Sequence, residues 1–239
     1  MRAKTLIAGL VAAMGLLWQT PAAQADPGAK AGPVVVELFT SQGCSSCPPA
    51  DALLQELAER SDVLPLALHV DYWDYIGWKD SFARPEHTAR QKRYAHSAGS
   101  RTIYTPQMVV GGVDQIVGTR PMAVTDAVMR HLQMGPVVDL SARRSGDSIR
   151  VTAPKPDVPG NYRVQLVRFL PEKTVRIERG ENAGQTMEYI NIVTDWRVLG
   201  DWSGLEPLDM SFPVPGPEKS AVIVQQAKQG AIVGALRLP

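Results

Sequence analysis

The chain has two cysteines, Cys44 and Cys47, spaced C-x-x-C, and they stand where a strand hands over to a helix. Val34 to Phe39 is apolar and rich in β-branched residues, the pattern of a buried strand. After the pair, Ala50, Leu53, Leu54, Leu57 and Ala58 fall at the spacing that lines one face of a helix. A helix start offers unpaired backbone N–H groups and the positive end of the macrodipole, both of which favour a thiolate over a thiol. The thiolate is the form that attacks disulfides or binds metals. C-x-x-C in a βα setting points to redox chemistry. A small structural bridge, half of a metal site and two unrelated thiols are the alternatives that the pattern leaves open.

Residues 1–25 have the layout of a secretory signal. Arg2 and Lys4 form a basic start, Leu6 to Trp18 is an apolar run too short for a stable span, and Ala23-Gln24-Ala25 is a small-x-small cleavage site. The mature chain is expected to start near Asp26, with roughly 214 residues and a net charge of about −1 once two basic residues leave. That charge gives no argument for nucleic acid or anionic membrane partners. No other long apolar run follows, so no stable membrane insertion is expected. The expected compartment is a bacterial periplasm, where disulfides persist. With two cysteines, a disulfide framework for the whole fold and a zinc site built from two cysteine pairs are both excluded.

Val63 to Val70 is a second strand candidate, with His69 and Asp71 two apart at its end. Asp71 to Trp78 is dense in aromatics, which either cap the core or line a groove. Arg84 to Ala98 reads as a helix opened by Pro85 and Glu86, carrying Arg84, His87, Arg90, Lys92 and Arg93 as a solvated face or as a basic rim near the thiols. Thr105-Pro106 precedes two short strands around Gly111-Gly112, a hairpin signal. A further helix starts near Pro121 and stops at Gly135-Pro136. Residues 26–135 therefore read as β–(CxxC)–α–β–α–ββ–α.

Beyond Pro136 the character changes to strands. Candidates are Val137 to Ala142, Ser148 to Ala153, Tyr162 to Leu166, Lys173 to Glu178, Tyr189 to Thr194, Ala221 to Gln225 and Ala231 to Leu238. Turns at regular spacing suggest a mainly antiparallel, sandwich-like region over 136–239. Pro207, Pro213, Pro215 and Pro217 read as a broken connection.

The order of elements in 26–135 resembles the thioredoxin fold. That resemblance implies a cis bond at Thr105-Pro106, with the Thr105 backbone held against the sulfurs. More closely, the chain is similar to a secreted family known as a domain of unknown function with a thioredoxin-like fold. The residues that carry this are Glu37 to Asp51, His69 to Tyr75, Tyr104 to Gln107, and Arg179 to Gly184. Two departures from working thioredoxins stand out: Ser45-Ser46 lies between the cysteines, and Pro48-Pro49 follows them. Pro48 pushes the helix start to itself and leaves Cys44 outside the first turn.

The function expected is periplasmic thiol–disulfide exchange with protein thiols or disulfides as partners and no cofactor. Cys44 is the exposed nucleophile, Cys47 resolves the mixed disulfide, and Glu37, as the resemblance implies, is the buried proton acceptor. One alternative is a copper or zinc carrier using Cys44, Cys47 and His69. Another is a binding protein with a structural disulfide, recognising its partner through Trp73, Trp78 and the β-rich half.

Overall fold

A computed structural model describes residues 32–239; the signal reading of 1–25 lies outside them. Eight strands form one sheet in the order β11-β10-β7-β8-β2-β1-β3-β4, and three more form a second sheet in the order β5-β6-β9. The first part of the chain supplies β1 (Val34–Thr40), α1 (Pro48–Ala58), β2 (Val63–His69), α2 (Pro85–Ser97), β3 (Gln107–Val110), β4 (Asp114–Val117) and α3 (Pro121–Met134). β1 and β2 run parallel, and β3 and β4 run antiparallel beside β1.

The parity of β1 decides what each helix sees. Val36 and Leu38 pack with Leu53, Leu54 and Leu57 of α1 and with Val124 and Val128 of α3. Val35 and Phe39 face the other way, into a cluster that includes Tyr94 of α2. Alternation along an extended strand produces this split.

The second part contributes β5 (Ser141–Ser145), β6 (Ser148–Ala153), β7 (Tyr162–Arg176), β8 (Thr186–Trp202), β9 (Leu208–Pro213), β10 (Lys219–Gln226) and β11 (Ile232–Arg237). The sequence candidates Tyr162 to Leu166 and Lys173 to Glu178 fall in or beside one strand, because β7 runs through Pro171 opposite β8. β9 lies inside the stretch that the prolines suggested was only a connection; Pro213 sits at its last residue, on an edge strand where proline is tolerated.

β8 joins the two parts by pairing parallel with β2 through Ala67 and Ile192. Pro65 of β2 has no N–H to offer a neighbour. Its carbonyl instead accepts the Asn191 side-chain amide at 2.9 Å. The small sheet closes over β7, β10 and β11, with Ile149, Val151, Phe212, Val164, Leu166, Val222 and Val224 in one shared core. Among the described residues, no helix is long and apolar enough to cross a membrane.

Candidate functional site

β1 ends at Thr40, and the chain turns through Ser41 to Cys47 before α1 begins at Pro48. Cys47 is the N-cap, and its carbonyl accepts the N–H groups of Ala50 and Asp51. Cys44 stays outside the helix, as Pro48 requires. Cys44 and Cys47 are bridged, their Cα atoms 5.4 Å apart. The Ser46 hydroxyl lies 3.5 Å from Cys44 Sγ. Ser45 and Ser46 are exposed, but Cys44 and Cys47 are each 0% exposed. The expectation of an exposed Cys44 is thus corrected for the bridged state.

Two segments distant in sequence pack on the loop that carries the bridge. The aromatic loop after β2 presses on Gly43, where an added Cβ would come within 2.9 Å of Ile76 Cδ1 and 3.2 Å of Trp73 Cβ. Trp78 Nε1 donates to Gln42 Oε1 at 2.8 Å. The β7–β8 turn then packs on that loop. Gly180, at φ +81°, brings its Cα close enough that a Cβ would meet Trp78 Cβ at 3.3 Å. Asn182 Nδ2 donates to the carbonyls of Gln42 at 2.9 Å and Cys44 at 3.0 Å. Glu181 Oε2 accepts the Ser45 N–H at 3.3 Å. Trp73 and Trp78 are therefore part of the packing on the cysteine loop, while Tyr75 stands out in solvent, stacked on Trp73.

Beneath the cysteine loop lies a buried polar network on the α1 face. Thr40 and His69 are paired in the β1–β2 register. Thr40 Oγ1 donates to Asp51 Oδ2 at 3.1 Å. His69 Nδ1 and Asp80 Oδ2 are 2.7 Å apart, and the same oxygen accepts the Gln42 N–H at 2.8 Å. The His69 ring is held edge-on by Phe82 and Tyr189, and its Nε2 is buried without a hydrogen-bond partner. Burial pushes the Asp51 carboxyl up to about 7, against the opposing pull of His69 and the Thr40 bond. Burial pushes Asp80 the same way, but His69 and the N–H groups of Gln42 and Phe82 outweigh it and hold that carboxyl below its usual range.

Asp51 was not singled out as an acid in the sequence. The available signal was its place four residues after Cys47, which sets the two side chains on one face of α1. Glu37, expected in that role, is buried but points to the opposite face of β1. Arg90 Nη2 donates to Glu37 Oε1 at 2.9 Å, Arg90 Nε to Oε2 at 2.5 Å, and the Tyr94 hydroxyl also bonds Glu37. These donors occupy the carboxylate, and strand parity turns it away from α1. This corrects Glu37 as the acceptor for Cys47.

The solvated reading of the basic helix holds for Arg84, Lys92 and Arg93, which are exposed, and is corrected for Arg90 and His87. Arg90 is buried against Glu37 with its guanidinium 3.6 Å from the Trp196 ring centroid, and His87 Nδ1 meets the His69 carbonyl at 2.8 Å. Lys92 and Arg93 remain on the exposed side. The residues of the carrier alternative lie close to the bridge. Both sulfurs are bridged and His69 Nδ1 is engaged by Asp80. Among the described residues no group of three or more His, Cys, Asp and Glu side chains is arranged to hold a metal.

Thr105–Pro106 is a cis peptide. Thr105 Oγ1 accepts Trp73 Nε1 at 2.8 Å, so the residue that roofs Gly43 also ties down Thr105. Gly118 donates its N–H to the Pro106 carbonyl at 3.0 Å; a Cβ there would meet Pro106 Cβ at 3.0 Å and Ala50 Cβ at 2.9 Å. Thr105 thus reaches the cysteine loop through Trp73, and Pro106 packs toward α1 across Gly118.

Residues 35–226 match the family described as "Protein of unknown function (DUF1223)". The chain belongs to this family. A crystal structure of protein AGR_C_4864 from Agrobacterium tumefaciens is similar at 35% identity and a TM-score of 0.76, covering 87% of this chain and 95% of that one. The structure of HBP35 of Porphyromonas gingivalis is similar in fold alone, at 16% identity and a TM-score of 0.60, over 87% of this chain and 75% of that one. No curated protein matches the chain. For a DUF1223 chain, then, the family leaves the chemistry to be read from the site. That site is a bridged vicinal pair at a helix start, a carboxyl that titrates near neutrality one turn on, and a roof of two loops.

Proposed function

We propose that this chain is a secreted, periplasmic thiol–disulfide oxidoreductase of thioredoxin-like fold, acting on protein thiols or disulfides. The order β–α–β–α–β–β–α, with β2-β1-β3-β4 side by side, supports that fold for residues 32–135. Residues 136–239 form the β-rich part that supplies the turn over the site. The observation that carries the function is the bridged Cys44–Cys47 pair at the head of α1, with Asp51 buried one turn along and titrating near neutrality.

In the reducing direction the Cys44 thiolate attacks a partner disulfide, forming a mixed disulfide and releasing one partner thiolate. Asp51 takes the proton of Cys47. The Cys47 thiolate then attacks Cys44 Sγ, reforms the bridge and releases the second partner thiol. Two electrons pass to the partner; Asp51 returns the Cys47 proton to the second leaving sulfur, and solvent protonates the first partner thiolate. In the oxidising direction the bridge accepts the electrons. The Thr105–Pro106 backbone is the place where a partner chain docks beside the sulfurs. An oxidising compartment supplies the bridged form.

Complete burial of both sulfurs favours a second reading, a binding protein whose bridge is structural. Insulin-type disulfide reduction separates the two. The mature protein is expected to be active, and Cys44→Ser is expected to abolish the activity. Activity retained in Cys44→Ser, or none in the wild type, would sink the oxidoreductase assignment.

A further inference from the structure

The β7–β8 turn crosses from the β-rich part of the chain to the cysteine loop, and its contacts are with the loop's backbone. Asn182 is 3% exposed, and both hydrogens of its amide are spent on the Gln42 and Cys44 carbonyls. Its Oδ1 accepts Gln185 Nε2 at 3.3 Å, which fixes the amide's orientation. Glu181 adds the bond from the Ser45 N–H. The turn is itself braced: Gly184 N–H reaches the Ile177 carbonyl at 2.8 Å, and Ile177 N–H reaches the Gln185 carbonyl at 2.9 Å. On the other side, Ile76 and Trp78 pack on Gly180 while Ile76 and Trp73 pack on Gly43. The backbone of the cysteine loop is therefore held by two segments that also pack on one another.

We propose that the β7–β8 turn is a clasp that gates thiol access to the Cys44–Cys47 bridge, with Asn182 as its positioning residue. This rests on the exchange reading for its biological use, though the gating itself is a property of the bridge. An attacking thiolate must approach a sulfur along the S–S axis. With both cysteines at 0% exposure and the Cys44 carbonyl tied to Asn182, the loop cannot swing its sulfurs toward an attacking thiolate until the turn lets go. Lifting it strips two buried carbonyls of their donors at once, so the clasp is closed most of the time. Small thiols are thereby kept from emptying the bridge, and a protein partner must displace Asn182 to engage it. The sequence signature is Arg179 to Gly184, which strand periodicity alone does not distinguish from any other turn.

The test is the rate at which dithiothreitol reduces the bridge in the full mature chain. Two electrons and two protons pass to the cysteines, and the reductant closes to its cyclic disulfide. Asn182→Ala removes both donors and is expected to speed reduction by about tenfold or more, which corresponds to about 1.4 kcal/mol in the opening equilibrium. The acceleration should persist unchanged as urea is raised below the unfolding transition, because the opening is local. Gln185→Ala, at an exposed position that only orients the Asn182 amide, should give a few-fold acceleration and guards against an Asn182 variant that fails to fold. Wild-type rates in both variants would overturn the clasp. So would an acceleration that climbs with urea in step with global unfolding, since that marks a merely structural role. Insulin-type reduction is scored separately: its absence with the dithiothreitol result intact defeats the oxidoreductase reading and leaves the gate standing.

Discussion

Replacing Asp51 with Asn is the most informative single change to the buried network. The folded protein raises this carboxyl from 3.8 to about 7, chiefly by burial. A raised folded pKa means that the folded state holds the proton more tightly than the unfolded chain. Its contribution to stability is fully present below about pH 4 and is lost as pH rises through about 7. The whole shift, at about 1.36 kcal/mol per unit, corresponds to about 4 kcal/mol. Roughly 3 kcal/mol of it falls between about pH 5 and about pH 8.5. Asn keeps an oxygen for Thr40 and cannot ionise. Urea unfolding of the bridged protein at those two pH values should show the wild type losing about 3 kcal/mol relative to Asp51→Asn. Other titrating groups cancel in the comparison. Parallel pH profiles for the two proteins would refute the claim that Asp51 titrates near neutrality, and with it the proton acceptor assigned to Cys47.

The remaining predictions concern the other buried charges and Cys44. Arg90→Met strands Glu37 in the core and should cost about 3 to 5 kcal/mol in urea unfolding, whereas Glu37→Gln combined with Arg90→Met should recover most of it; equal losses in the single and double variants would contradict the pairing. Burial holds His87 down at about 4 from 6.5, so its stabilisation is present above about 6.5 and is lost as pH falls through about 4. His87→Gln should therefore flatten the acid limb of the stability profile by about 3 kcal/mol, and an unchanged acid limb would exclude that origin. Cys44→Ser should abolish insulin-type reduction while leaving the fold intact by circular dichroism.

Local signals placed the cysteine pair well. The strand before Cys44, the helix start at Pro48 and the hairpin at Gly111-Gly112 are all set by propensity within a few residues. What sequence patterns missed depends on partners far along the chain. Glu37 reads equally well as an acid for either face of β1, and only the packing of α1 and α2 shows that it belongs to Arg90. α2 looks solvated because its inward residues are polar, yet Thr88, Arg90 and Gln91 are buried with partners on Asp71, Glu37 and Tyr104. β9 hides among prolines because an edge strand can tolerate them. The roof is legible only in part: Arg179 to Gly184 stands out as a motif, but a loop-shaping role for Glu181 and Asn182 fits the sequence as well as a contact with the cysteine site does. Asn182 lies 138 residues from Cys44, and no periodicity links the two.

The proposed function requires the Cys44–Cys47 bridge to exchange electrons with its partners. Its most direct test is the reduction potential of the pair, measured by equilibrating the mature protein in glutathione buffers. A value between roughly −270 and −120 mV is expected, the range of working oxidoreductases. A value below about −300 mV would mark a structural bridge and contradict it.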